Sequence, residues 1–175
     1  MSDKSFYTLP FVWNRKVWIV TFGFFAVWVG VSGVLAYEMY KSGYAVGSIV
    51  SLVVFVLVML VTMVVCEGYA PQRLEVGESK IVVVRRFGDV TIARNTIRSI
   101  TRLQDGALSS AVRTFGVGGL FGFFGRFYAR KLGAFDLYAT RSENLYLLCL
   151  LDGRKIVVSC AEPQVLEEIY SVELK

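Results

Sequence analysis

Two long stretches without a single charge constrain this chain more than anything else in it. Val17 to Tyr37 gives 21 uncharged residues between Lys16 and Glu38, and Ser42 to Cys66 gives 25 more between Lys41 and Glu67. At ~1.5 Å per helical residue each run reaches roughly 30 Å or more, the thickness of a bilayer's hydrocarbon core. Both are read as transmembrane helices, with spans 17–37 and 42–66 making a hairpin over residues 17–66. A cleaved signal peptide has a shorter apolar run and no second span directly behind it. Aromatic residues mark the ends: Trp13 and Trp18 at the entry, Tyr37, Tyr40 and Tyr44 at the turn, Tyr69 at the exit. The segment Glu38-Met39-Tyr40-Lys41 is short enough to make the pair antiparallel. Small residues stripe both spans and are candidates for helix packing, inside the hairpin or between copies. They are Gly23, Ala26, Gly30 and Gly33 on the first span, and Gly43, Gly47 and Ser51 on the second.

Positive charge sets the orientation. Lys4, Arg15 and Lys16 before the spans and Arg73, Lys80, Arg85 and Arg86 after them stand against Lys41 alone in the turn. Both termini are therefore expected on the cytoplasmic side of the inner cell membrane, with residues 1–16 as a cytoplasmic segment and 67–175 as a cytoplasmic domain. Composition removes much chemistry. With no histidine, His-based triads, metal sites and pH switches are excluded. Three cysteines without C-x-x-C spacing suggest neither a disulfide framework nor a zinc ribbon. No metal, cofactor or nucleic-acid partner is expected.

After Glu67 the pattern turns to short strands. Lys80–Arg86, Val90–Ala93, Ile97–Leu103, Ala111–Phe115, Gly133–Thr140, Asn144–Leu151 and Arg154–Cys160 are candidates. Pro163 opens a terminal helix over 163–174, with Val165, Ile169 and Val172 at helical spacing. About seven strands and a helix make a small, mainly β barrel or sandwich. A two-residue turn at Asp152-Gly153 sets Cys149 opposite Ile156 and Cys160 opposite Leu145. Both sulfurs then share one face, too far apart to bond and buried separately.

The least ordinary segment runs from Phe115 to Gly133. Six of the fourteen residues from Phe115 to Tyr128 are aromatic, interleaved with Gly116, Gly118, Gly119, Gly122 and Gly125. Spacing argues against a phosphate-cradling loop: Phe121 stands where G-x-G-x-x-G needs glycine, and Arg126 follows Gly125 where a P-loop needs Lys. In one reading Leu120, Phe121, Phe123 and Phe124 dip into the cytoplasmic leaflet while Arg126, Arg130 and Lys131 meet anionic headgroups. In the other they pack on their own domain or on a second subunit. Residues 73–131 carry a net charge of +7 and residues 132–175 a net of −3, which favours a membrane-facing basic half.

The run from Phe115 through Gly125, the sequel Leu132-Gly133-x-Phe135, Tyr138-Ala139-Thr140, Lys155–Ser159 and the acidic terminal helix resemble a known family. It is that of prokaryotic membrane-anchored proteins with a bacterial pleckstrin-homology-like (PH-like) domain. The resemblance implies a helix-capped β-fold and, in some relatives, ring assembly. The basic lipid motif of eukaryotic PH domains is not recognisable, so phosphoinositide binding is not implied. The expected function is a non-enzymatic scaffold, oligomerisation or lipid-contact module whose partners are membrane lipids, other copies of the chain or other membrane proteins. A transport or channel subunit built from several hairpins is the alternative, and a membrane-bound enzyme or accessory subunit a further one. Ser109, Ser110, Thr140 and Ser159 have no histidine to activate them, and Glu167-Glu168 read as a solvated helix face.

Overall fold

The computed structural model describes residues 7–170 and 173–174. Helices α1 (Arg15–Lys41) and α2 (Val46–Tyr69) are the long apolar runs. The Asn14 side chain caps α1 by accepting the Val17 N–H at 3.0 Å. The helix continues through Glu38–Lys41, where a turn was expected, because these are helix-forming residues and Lys41 complements the negative helix end. The turn falls on Ser42–Ala45, where Gly43 and Tyr44 take left-handed φ values of 65° and 63°. Both helices are long and apolar enough to cross a membrane, and little of either is buried. A Cβ added to Gly23, Gly30, Gly33, Gly43 or Gly47 would meet nothing within 4 Å, and Ala26 and Ser51 are exposed. This corrects the expected close packing of the small residues within the hairpin. The helices pack on each other, yet their half-buried positions are bulkier: Phe24, Phe25 and Trp28 on α1, Leu52, Phe55 and Met59 on α2.

Eleven strands follow from the rest of the described chain. Strands β1 (Tyr7–Pro10), β2 (Arg73–Val76), β3 (Lys80–Val84) and β4 (Val90–Ala93) form one antiparallel sheet in that order. The others are β5 (Ile97–Arg102), β6 (Val112–Gly118), β7 (Phe123–Ala129), β8 (Gly133–Ala139), β9 (Leu145–Leu150), β10 (Lys155–Ser159) and β11 (Glu173–Leu174). They form a mixed sheet in the order β11-β5-β9-β10-β8-β7-β6. Helix α3 spans Pro163–Tyr170. It stops short of the expected 174 because Glu173 and Leu174 pair with β5; Val172 lies outside the described residues.

The two sheets face each other across one core, in which Leu74, Val76, Ile81 and Val83 meet Tyr146, Leu148, Ile156 and Val158, with Leu166 of α3. A second core of Phe127, Phe135, Leu137, Leu147 and Val157 lies on the other face of the seven-stranded sheet. Apolar residues on both faces explain the unbroken Leu/Val runs of β9 and β10. Of the expected barrel or sandwich, only the barrel is corrected: among the described residues no closed barrel forms, the strands make two facing sheets, and β6 and β11 remain edges of the larger one.

The hairpin β9–β10 is shifted by one residue from expectation. Leu150 N–H donates to Arg154 O at 2.9 Å, enclosing three residues, and Gly153 takes φ 85°. Cys149 thus faces Lys155, and Ser159 faces Leu145. A one-residue slip exchanges faces. Cys160 joins Ile156 and Val158 in the core between the sheets, whereas half-buried Cys149 packs on the other side. Burial pushes the Cys160 thiol from 9.0 up to about 11. Below pH 9 folding is unaffected by this group. As pH rises from 9 towards 11 the unfolded chain loses the thiol proton and the folded chain keeps it, so stability falls over that window. Melting temperatures of the native protein and Cys160→Ala, taken through that range, should converge as pH rises; parallel curves would refute the assignment.

Helix α3 is held by polar contacts as well. Glu167 pairs with Arg102 at 3.2 Å and accepts the Tyr146 hydroxyl at 3.2 Å, which corrects its reading as a merely solvated residue.

Candidate functional site

The glycine-aromatic segment is two strands and a tight turn rather than one loop. Gly116 faces Gly125 across β6 and β7, with φ of 121° and 116°. A Cβ on Gly125 would collide with Phe115 O and lie 2.7 Å from Gly116 Cα. The pair of glycines lets two backbones approach where side chains would hold them apart. At the tip, Gly119 N–H donates to Gly122 O at 2.8 Å, and Phe121 takes a left-handed φ of 58° that bulky residues avoid.

This tip rests on α1. The buried Thr21 hydroxyl accepts the Phe121 N–H at 3.2 Å and reaches Gly119 O at 3.5 Å. A Cβ on Gly119 would crowd the Val20 methyls at 3.0 Å, so glycine is needed there. Leu120 and Phe124, 7% and 6% exposed, pack with Cys66 and Ala70 at the end of α2. Trp13 lies 5.9 Å from the Phe121 ring and 5.1 Å from that of Trp18. Thr21→Val keeps the shape but leaves the Phe121 N–H unpaired, at a cost of about 1–3 kcal/mol. Thermal unfolding should show the loss, and Thr21→Ser should not; equal melting of all three proteins would remove Thr21 from this role.

Further stitches join head and helices. Thr140 accepts a hydrogen bond from Asn14 N–H through its carbonyl at 3.1 Å, and its hydroxyl donates to Val12 O at 3.1 Å. Its own N–H donates to Ser159 Oγ at 3.2 Å. Arg86 pairs with Glu67 at 2.9 Å, and Gly68 lies against Phe87, where a Cβ would overlap the ring. Arg85 sits over both Tyr69 and Tyr138, at 5.7 and 5.6 Å. Burial is the main cause that raises the Tyr138 pKa, so the phenol stays neutral beside this cation.

The expected site residues are thus divided. Gly119, Leu120, Phe121 and Phe124 face the helices, Gly122 lies against Ala139, Thr140 and Pro71, and Phe123 packs in the second core. Gly118 ends β6 beside Arg113. Arg126 is exposed and pairs with Asp136 at 3.4 Å. Arg130 and Lys131 follow the far end of β7, roughly 20 Å from the tip at ~3.3 Å per residue. The expected grouping of these cations with the aromatic tip is corrected, because β7 is extended and separates them. Thr21 and Asn14 were missed, and Thr140, singled out in the Tyr138-Ala139-Thr140 motif, was not read as a contact to the segment leading into α1. Only Asn14, a capping residue directly before an apolar run, carries a recognisable signal.

Two facing sheets with a short C-terminal helix define a small PH-like β-domain. The chain belongs to the bacterial PH domain family, whose match covers residues 72–173, more than half of its length. No curated protein and no solved structure matches it. PH-like domains are non-catalytic modules, and the matched segment of this chain is one of them. Among the described residues no group of three or more His, Cys, Asp or Glu side chains is placed to hold a metal.

Proposed function

We propose that the chain is a membrane-anchored, non-catalytic module: residues 17–66 tether a PH-like domain of residues 67–175 at the cytoplasmic face, where it contacts lipids and other proteins. The observation that carries this reading is the outer surface of the helices. Val27, Val29, Val34 and Val46 are 66%, 68%, 62% and 77% exposed, within continuous apolar runs that water would not tolerate. A buried core helix would hide such residues. A removable leader would not hold part of the head, as α1 does through Val17 and Thr21. The pairing of Tyr7–Pro10 with Arg73–Val76 keeps both ends of the hairpin on one side, in accord with the positive charges flanking them. Alkaline carbonate extraction should leave the chain in the membrane pellet, and a reporter fused at Ser42 should be outside the cytoplasm. Recovery in the soluble fraction would overturn the proposal.

Association with a second copy is a further reading, supported by β6. This edge strand is exposed on both faces, with Val112 and Phe115 64% and 81% exposed. Two such edges can pair about a twofold axis. Native mass in detergent tests it, with a monomer as the refuting result.

A further inference from the structure

Beside the docked tip a cavity of about 300 Å³ opens between the head and the first turn of α1. Its apolar lining includes Phe127, Leu137 and Leu145, all nearly inaccessible, which therefore form its depth. Three cations from separate segments also line it: Lys16 from α1, Arg113 from β6 and Arg141 from just after β8. Lys16 and Arg113 are exposed and Arg141 is half-buried, which places the charge towards the opening. Among the described residues, no carboxylate lines the cavity and none of the three cations has an ion-pair partner. Three like charges around one opening repel unless an anion sits among them.

We infer that this cavity binds a single anionic amphiphile. Its phosphate or carboxylate sits among Lys16, Arg113 and Arg141, and an apolar chain lies against Phe127, Leu137 and Leu145. Arginine forks match both anions in a two-pronged fashion. Ser109 and Ser142 add hydroxyls to the same lining. The volume is at the lower end of the ~300–1,000 Å³ of small-molecule sites, which suits one chain, so a two-chain lipid would keep its second chain outside the cavity. Two sources supply this chemistry, a phospholipid of the bilayer and a free long-chain acid. The phospholipid source rests on the anchoring proposal, because Lys16 stands where the first span begins; the free acid does not.

Native mass spectrometry of the full chain in a neutral detergent separates the outcomes. The probes are dioleoyl phosphatidylglycerol, dioleoyl phosphatidylcholine and dodecanoate. One phosphatidylglycerol or one dodecanoate should be retained at least about tenfold over phosphatidylcholine, a difference of about 1.4 kcal/mol. Retention of either anion supports the site and identifies its source. Arg113→Ala with Arg141→Ala should remove that preference, and Lys16→Ala, an exposed position independent of the sheet, should weaken it several-fold. Arg130→Ala with Lys131→Ala should leave it unchanged. Equal retention of the anionic and neutral probes, or a preference indifferent to Lys16, Arg113 and Arg141, would overturn the inference while leaving anchoring intact. Loss of the chain to the soluble fraction after carbonate extraction would instead overturn anchoring and leave the dodecanoate result standing.

Discussion

Gly125→Ala should lower the melting temperature by roughly 6–12 °C. The methyl group would overlap Phe115 O and crowd Gly116 Cα, at a backbone φ of 116°. The conformation alone costs an alanine about 1–3 kcal/mol. The overlap adds to this, since the obstacles are backbone atoms with no rotamer through which to move aside. A total of at least about 3 kcal/mol corresponds to that drop for a chain of this size, at about 2–4 °C per kcal/mol. Gly30→Ala is the matched control. It adds the same methyl where nothing lies within 4 Å, inside a helix that favours alanine by up to ~1 kcal/mol. If the two variants melt alike, the close approach of β6 and β7 is not a structural requirement.

Phe124→Ala should cost about 3–5 kcal/mol, the range for emptying a large buried aromatic site. Phe124 is 6% exposed and packs with Leu120, Cys66 and Ala70, so the void opens between the head and the helices. The damage should therefore have a position. Proteolysis should quicken near residues 70–72, and Trp13 fluorescence should shift as the tip bearing Phe121 loosens. Phe115→Ala removes an equally large ring that is 81% exposed and should cost less than about 0.5 kcal/mol. A Phe124→Ala protein that loses stability without faster cleavage at this joint would mean that the head and helices do not meet there.

What could be read from residue order alone follows the range of the forces involved. The helices were legible because an uncharged run of this length has few alternatives. Lys80–Val84 and Val90–Ala93 were legible because β-branched runs ended by a glycine turn are local signals. Strand β1 was not, since four residues ending in proline pair with a segment more than sixty positions away. Strand β7 was hidden by Gly125 and the glycines before it, residues that weaken a strand in general, although Gly125 here permits one particular close crossing with Gly116. The hairpin register failed by one residue, because Asp152-Gly153 fits a three-residue loop as well as a two-residue one, and only packing chooses between them. The candidate site divided for a related reason. Composition brought its aromatics and cations together, and an extended strand drew them apart. The cations lining the cavity come from positions 16, 113 and 141, and no sequence window contains all three.

The pairing of β1 with β2 also sets an order of events. Residues 7–10 are made first, yet their partners at 73–76 emerge only after both helices. At ~5–20 residues per second this leaves a gap of roughly 3–13 s in which the first strand waits unpaired. If only one helix entered a bilayer, the waiting strand and its partner would end on opposite sides and could not meet. Completion of this small sheet would then report that the hairpin had inserted as a pair, a proofreading step written into residues 7–10.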